Sequence, residues 1–133
     1  MNELNAAILS QLSGGTALIS ALGGTAIYHL QAPDKAVYPY VVYSWQGGGM
    51  TNDNPHDDSE TVHFIRAYSA TSAKEANTID ALVSARLHKA ALSVTGYTTV
   101  MCWREDDYET VETTSSGVKI YTAGGIYRIR ITK

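Results

Sequence analysis

The stretch YPYVVYSWQGGGMTNDNPHDDSE, Tyr38 to Glu60, decides how the chain is read. An aromatic and β-branched run stops at three glycines and gives way to a polar, acid-rich segment with one histidine. Tyr40 to Trp45 is apolar on both alternating faces, with Val41, Tyr43 and Trp45 on one and Tyr40 and Val42 on the other. That pattern suits a central strand covered on both sides, or covered on one side and packed on a neighbouring subunit on the other. Pro39 stands at the strand's start, where a missing N–H is tolerated. Glu60 to Ser69 reads as the return strand, with Val62, Phe64 and Tyr68 on one face and His63, Ile65 and Ala67 on the opposite one. The glycines after Trp45 are expected to release the chain from the sheet. Gly47 to Ser59 is then a loop, long for a plain hairpin connection and a candidate for function.

On the N-terminal side of this hairpin, Leu4, Ala7, Ile8 and Leu12 recur at helical spacing and Gly14-Gly15 supplies a stop. A second short helix, TALISAL, is closed by Gly23-Gly24, and TAIYHL reads as a short strand ended by Pro33-Asp34. On the C-terminal side the helix signal is clearest. SAKE is a capping box, with Ser72 as cap and Glu75 reaching back to its amide. Ala76, Ile79, Val83 and Leu87 form the buried stripe, Lys74, Asp80 and Arg86 face water, and His88 and Lys89 complement the last turn. YTTVMCWRE, DYETVET and VKIYTAGGIYRIRIT follow as strands, with a charged hairpin turn at Glu105–Glu109. Tyr127, Ile129 and Ile131 alternate with Arg128 and Arg130. Val118 and Ile120 fall on the wrong parity unless a bulge or tight turn at Gly124-Gly125 repairs the register. The fold class is α+β: a mostly antiparallel sheet, one long helix over about 72–89, and short N-terminal helices packed on one face, all in a single domain over 1–133.

The chain has 133 residues, enough for a real core, and 44% of them are hydrophobic. Net charge is −3, with ten Lys and Arg scattered along the chain. Tight DNA or RNA binding needs a basic stripe, which is missing. Cys102 is the only cysteine, so no internal disulfide and no cysteine-based zinc cage form, and its apolar context TTVMCW reads as a buried thiol. No apolar run approaches the roughly 18 residues of a membrane span, and the N-terminus lacks the pattern of a signal peptide. A soluble protein made in a reducing cytoplasm is expected.

Motifs for catalysis and cofactors are scarce. No P-loop, dinucleotide fingerprint or nucleophile elbow is present. SGVK, Ser116 to Lys119, spells S-x-x-K but lies in a turn between strands, without the helix N-terminus that motif needs. His56, Asp57, Asp58, Glu60 and His63 are the candidate ligands for Zn²⁺, Mn²⁺ or Mg²⁺, and a small metal-dependent hydrolase would use His56, Asp57, Asp58 and His63. The spacing argues against it, because His63 is set within a strand and His56 in a loop. His29 reads as structural. Glu105, Asp106 and Asp107 repel one another unless a cation is supplied, and in a self-assembling protein Arg66, Arg128 or Arg130 of a neighbour are natural partners. No metal, cofactor or catalytic residue is expected. A small ligand- or peptide-binding domain using Tyr40, Tyr43 and Trp45 is an alternative.

The order of landmarks resembles a known family. IYHLQAPDKAVYPYVVYSW, RAYSATSAKEA and the closing GIYRIRI are similar to the small tail-completion proteins of long-tailed bacteriophages, which include tail terminators and tail-to-head joining proteins. The resemblance covers almost the whole chain. It implies an α+β structural protein of the virion, assembled in the host cytoplasm, that forms a homohexameric ring at the head-proximal end of the tail tube. Such a ring stops tube growth, presents a surface to the head connector or stopper protein, and lets DNA pass without specific binding. Another neck role, head completion or stopper, is the alternative within phage assembly. The family carries no catalytic residues to transfer. On this reading the loop residues Gly47, Gly48, Gly49, Met50, Asp53, His56, Asp57 and Asp58 are expected to reach a neighbouring subunit or the tube, with Met50 as an adaptable apolar anchor.

Overall fold

The computed structural model describes residues 1–51 and 58–133. Among them, helices α1 (Asn2–Ser13), α2 (Thr16–Leu22) and α3 (Ala73–Leu87) accompany strands β1 (Ile27–His29), β2 (Tyr40–Thr51), β3 (Asp58–Ser69), β4 (Thr98–Thr113) and β5 (Lys119–Thr132). The strands form one sheet in the order β1-β2-β3-β5-β4, antiparallel except for the β1–β2 pair. The class is α+β, as the periodicity indicated. No helix among the described residues is long and apolar enough to cross a membrane.

All three helices cover one face of the sheet. Leu4, Ile8 and Leu12 of α1, Leu18 and Leu22 of α2, and Ile79, Val83 and Leu87 of α3 pack on Val41, Tyr43, Ile65, Ala67, Cys102, Tyr127, Ile129 and Ile131. Burying side chains of this size stabilises by roughly 1.5–3 kcal/mol each before entropy is counted, which is why these positions hold the layers together. The alternation then places Tyr40, Val42, Phe64, Arg66, Tyr68, Arg128 and Arg130 on the opposite face, away from every helix.

Several local expectations are corrected. The glycines after Trp45 do not end β2. After a register shift between Trp45 and Gly47 the strand continues to Thr51, opposite Asp58. Gly48 makes this possible: its φ is +91°, and a Cβ there would lie 2.2 Å from the Glu60 carbonyl oxygen. The expected turn at Glu105–Glu109 lies inside β4, which runs unbroken beside β5. β5 itself passes through Gly124 and Gly125 with no register shift; the two irregularities fall in β4, between Thr99 and Met101 and between Arg104 and Asp106. Bulges in an edge strand break the alternation, and in the sequence that break resembles a turn. Ile120 accordingly stays outside the helix-side core.

The capping box forms only by half. The Ser72 hydroxyl accepts the Glu75 amide at 3.1 Å, but the Glu75 carboxylate accepts from the fully buried Ser69 hydroxyl at 2.7 Å. β3 delivers Ser69 directly under the helix start, where its oxygen also takes the Thr71 amide. The helix ends at Leu87, two residues short of Lys89. His88 and Lys89 turn instead onto β4: the Arg104 amide donates to His88 Nδ1 at 3.1 Å and the Lys89 amide to the Cys102 carbonyl at 2.7 Å. Arg86 does not face water either, because it donates to the Gln11 carbonyl at the end of α1.

Candidate interaction surface

The helix-free face of the sheet is crossed by a path of rings. Tyr40 lies at its β2 end, 4.9 Å between centroids from Tyr38, 5.9 Å from Tyr28 and 5.2 Å from Tyr68. The Arg66 guanidinium continues the path, 5.6 Å from the Tyr68 ring and 4.6 Å over Phe64. Phe64 in turn meets Tyr108 of β4 edge-on at 5.0 Å. The intervening strand, β5, places Gly124 between Arg66 and Tyr108, so no side chain blocks the reach from β4 to β3. Burial, followed by the hydrogen bond and charge interaction with Tyr38, pushes the Tyr40 hydroxyl well above its ordinary range, so Tyr40 is a neutral phenol beside the Arg66 cation. Tyr43 and Trp45, candidates alongside Tyr40 for a binding face, are on the helix side, where Tyr43 stacks with His29 and Trp45 with His63.

Toward the other end of the same face the surface is ionic. Arg128 bridges Glu60 at 3.1 Å and Glu105 at 2.7 Å, and Arg130 pairs with Asp58 at 3.0 Å. The Arg128 hydrogen bond holds the Glu105 carboxyl below its usual range. Asp107 pairs with Arg104. Arg66 and Asp106 have no ion-pair or hydrogen-bond partner among the described residues.

A second polar group, unforeseen in the sequence, lies under the helix layer. Arg104 forks onto both carboxylate oxygens of Asp80 at 2.8 Å and also donates to the Gly124 carbonyl and the Tyr127 hydroxyl. Side-chain exposures of 14% and 13% make this a largely buried pair, and Asp80 does not face water. Hydrogen bonding to Asp80 raises the Arg104 pKa, so the cation is permanent. Gly125 leaves the space, since a Cβ there would lie 2.6 Å from the guanidinium carbon. The signal available in the sequence was an arginine at an inward parity, two residues after Cys102. A cleft of about 370 Å³ beside it is lined by Asn77, Asp80, Arg104, Asp107, Tyr108 and Glu109, and its one cation is already engaged.

The candidate metal ligands are not brought together. His63 is fully buried on the helix side, its Nε2 2.8 Å from the Thr61 hydroxyl, while Asp58 lies on the opposite face against Arg130. Burial above all pushes the His63 imidazole down to about 4, so it is neutral at physiological pH. Among the described residues no group of three or more His, Cys, Asp or Glu is arranged to hold a metal. Asp53, His56 and Asp57 lie outside the described residues. Gly47, Gly48, Gly49 and Met50 belong to β2, and Met50 is 59% exposed. Cys102 is buried and its thiol is pushed up to about 12 by that burial, which makes it an inert core residue.

A one-layer sheet with helices on a single face, a path of half-buried to exposed rings on the other, and most of its arginines held in ion pairs defines a small α+β protein. The sequence profile of the family described as tail completion protein gp17 matches residues 6–121, and the chain belongs to that family of structural phage tail proteins. A chain from the virion of a native gene transfer agent (GTA) particle shares the fold with a TM-score of 0.75 at 22% identity, over 98% of this chain and 95% of that one. The gp17 protein of bacteriophage SPP1 superposes with a TM-score of 0.59 at 22% identity, over 99% of this chain and 89% of that one. At these identities the likeness is one of fold. Among curated proteins, none matches the chain by sequence.

Proposed function

We propose that the chain is a tail-completion subunit acting at the head-proximal end of a phage tail. There, copies close into a hexameric ring that terminates the tube and joins it to the head connector or stopper protein. The observation that carries this reading is the family match over residues 6–121. The bare aromatic sheet face adds to it, because apolar surface of this kind on central strands marks protein contact. The role is structural and needs no catalysis or cofactor. Net charge of −3 suits a conduit that DNA crosses without being gripped. The single domain, the virion location and assembly in the host cytoplasm belong to the same proposal.

The β2–β3 arm, with Gly47, Gly48, Gly49, Met50 and Asp58 at its described end, is the element that contacts the tube or an adjacent subunit. Native mass spectrometry over a wide concentration range, with and without tail tube protein, tests the ring. A closed hexamer, free or on the tube, supports it, whereas a strict monomer that ignores the tube sinks it and favours a peptide-binding domain that uses the tyrosine face. Deleting Gly49 to Asp57 should leave a folded chain that attaches poorly to tubes. Head-to-tail joining at normal yield by that variant would remove the arm from the account.

A further inference from the structure

The bare sheet face carries one unmet requirement. Of the five arginines, Arg86, Arg104, Arg128 and Arg130 each hold a carboxylate or a main-chain carbonyl. Arg66 holds neither among the described residues: Phe64 and Tyr68 flank its guanidinium, and its buried Nε has no acceptor. Rings hold a guanidinium flat but supply no oxygen, and a buried cationic N–H without an acceptor signals a missing partner. The planar fork calls for a carboxylate. This chain has suitable carboxylates to offer. Asp106 and Glu112 are exposed on β4, an edge strand, with no hydrogen-bond or ion-pair partner among the described residues. Their neighbours Glu105 and Asp107 are already held by Arg128 and Arg104.

We infer that a second copy of the chain docks on this face, its β4 edge supplying Asp106 or Glu112 to Arg66 while its apolar atoms cover Tyr40, Phe64, Tyr68 and Tyr108. The inference rests on the ring proposed above and names the two surfaces that meet in it. A face on one copy meeting an edge on the next is a head-to-tail contact, the kind that closes into rings. Nucleic acid is the poorer occupant, because Arg66 is the one arginine on this face without an ion pair among the described residues, and the neighbouring edge strand adds the unpaired acids Asp106 and Glu112.

The test is native mass spectrometry of the full chain, alone and on tubes of tail tube protein, for the wild type, Arg66→Glu, Asp106→Lys/Glu112→Lys, and the three changes combined. Each charge reversal should weaken assembly at least tenfold, and the combined variant should regain most of the loss. Circular dichroism and thermal melts check the fold of every variant. Arg66→Gln, a milder change, should weaken assembly in the same direction should the reversal prove unstable. If the wild type assembles and Arg66→Glu and Arg66→Gln assemble equally well, the ring stands and this face is not its interface. A wild type that is monomeric under all conditions overturns the ring and this inference together. Duplex DNA binding by the wild type that is lost in Arg66→Gln would assign the face to nucleic acid and overturn the inference alone.

Discussion

Replacing Arg104 by Met is the sharpest test of the packing between α3 and β4. The guanidinium makes two bonds of 2.8 Å to Asp80, one of 2.8 Å to the Gly124 carbonyl and one of 2.7 Å to Asp107. Asp107 is 87% exposed and adds little, so the balance is set by Asp80, which is 13% exposed. Removing one member of a buried pair costs roughly 3–5 kcal/mol, because the other charge is left without a partner in a poor solvent. The residual exposure here puts the expected loss near the lower end, about 3 kcal/mol. In a chain of this size that lowers Tm by about 10 °C. Asp80→Leu should cost a similar amount for the converse reason. The double variant, with no charge left to strand, should be no worse than either single one, giving a coupling of about 3 kcal/mol. Urea unfolding at constant m value measures all four corners of the cycle. If the single variants each cost under about 1 kcal/mol, or if their losses simply add, the pair is not the isolated buried unit described here.

Two further outcomes follow from particular side chains. His63 has a folded pKa of about 4 against an ordinary 6.5, so the unfolded chain binds the extra proton between those values. The stability that this histidine contributes is therefore present above pH 6.5 and lost as pH falls toward 4, up to roughly 3 kcal/mol. His63→Gln should flatten the unfolding free energy over that window relative to wild type, and an unchanged pH slope would refute the assignment. Gly48→Ala should disrupt the β2–β3 arm, since both the positive φ and the 2.2 Å approach to the Glu60 carbonyl oppose a Cβ. Amide exchange should quicken in Gly49 to Thr51 while Val41 to Tyr43 keep their protection, and equal protection in both segments would count against a strained arm.

Much of the fold was legible because its signals are local. The stripe Ala76, Ile79, Val83, Leu87, the Ser72 cap and the alternation of Tyr127, Ile129 and Ile131 each depend on residues within a few positions of one another, and these elements formed as read. The double-sided apolarity of Tyr40 to Trp45 fitted either a strand covered on both sides or one covered on a single side, and the helices cover only one. Elements whose form depends on strand partners were misread. Three glycines look like a strand's end, yet pairing with β3 carries Gly47 to Thr51 onward as sheet. Four acids within five positions look like a turn, yet β5 holds Glu105 to Glu109 in a strand. The site shows the same division. From residue types alone one can list Arg66, Glu105, Asp106, Asp107, Arg128 and Arg130 as charges in search of partners. Only the strand order β3-β5-β4 brings Arg128 to Glu60 and Glu105, folds Arg104 back onto Asp80, and leaves Arg66 among rings without an acceptor. Periodicity is written in neighbouring residues, whereas pairing between charges up to 72 positions apart is decided by how the sheet is assembled.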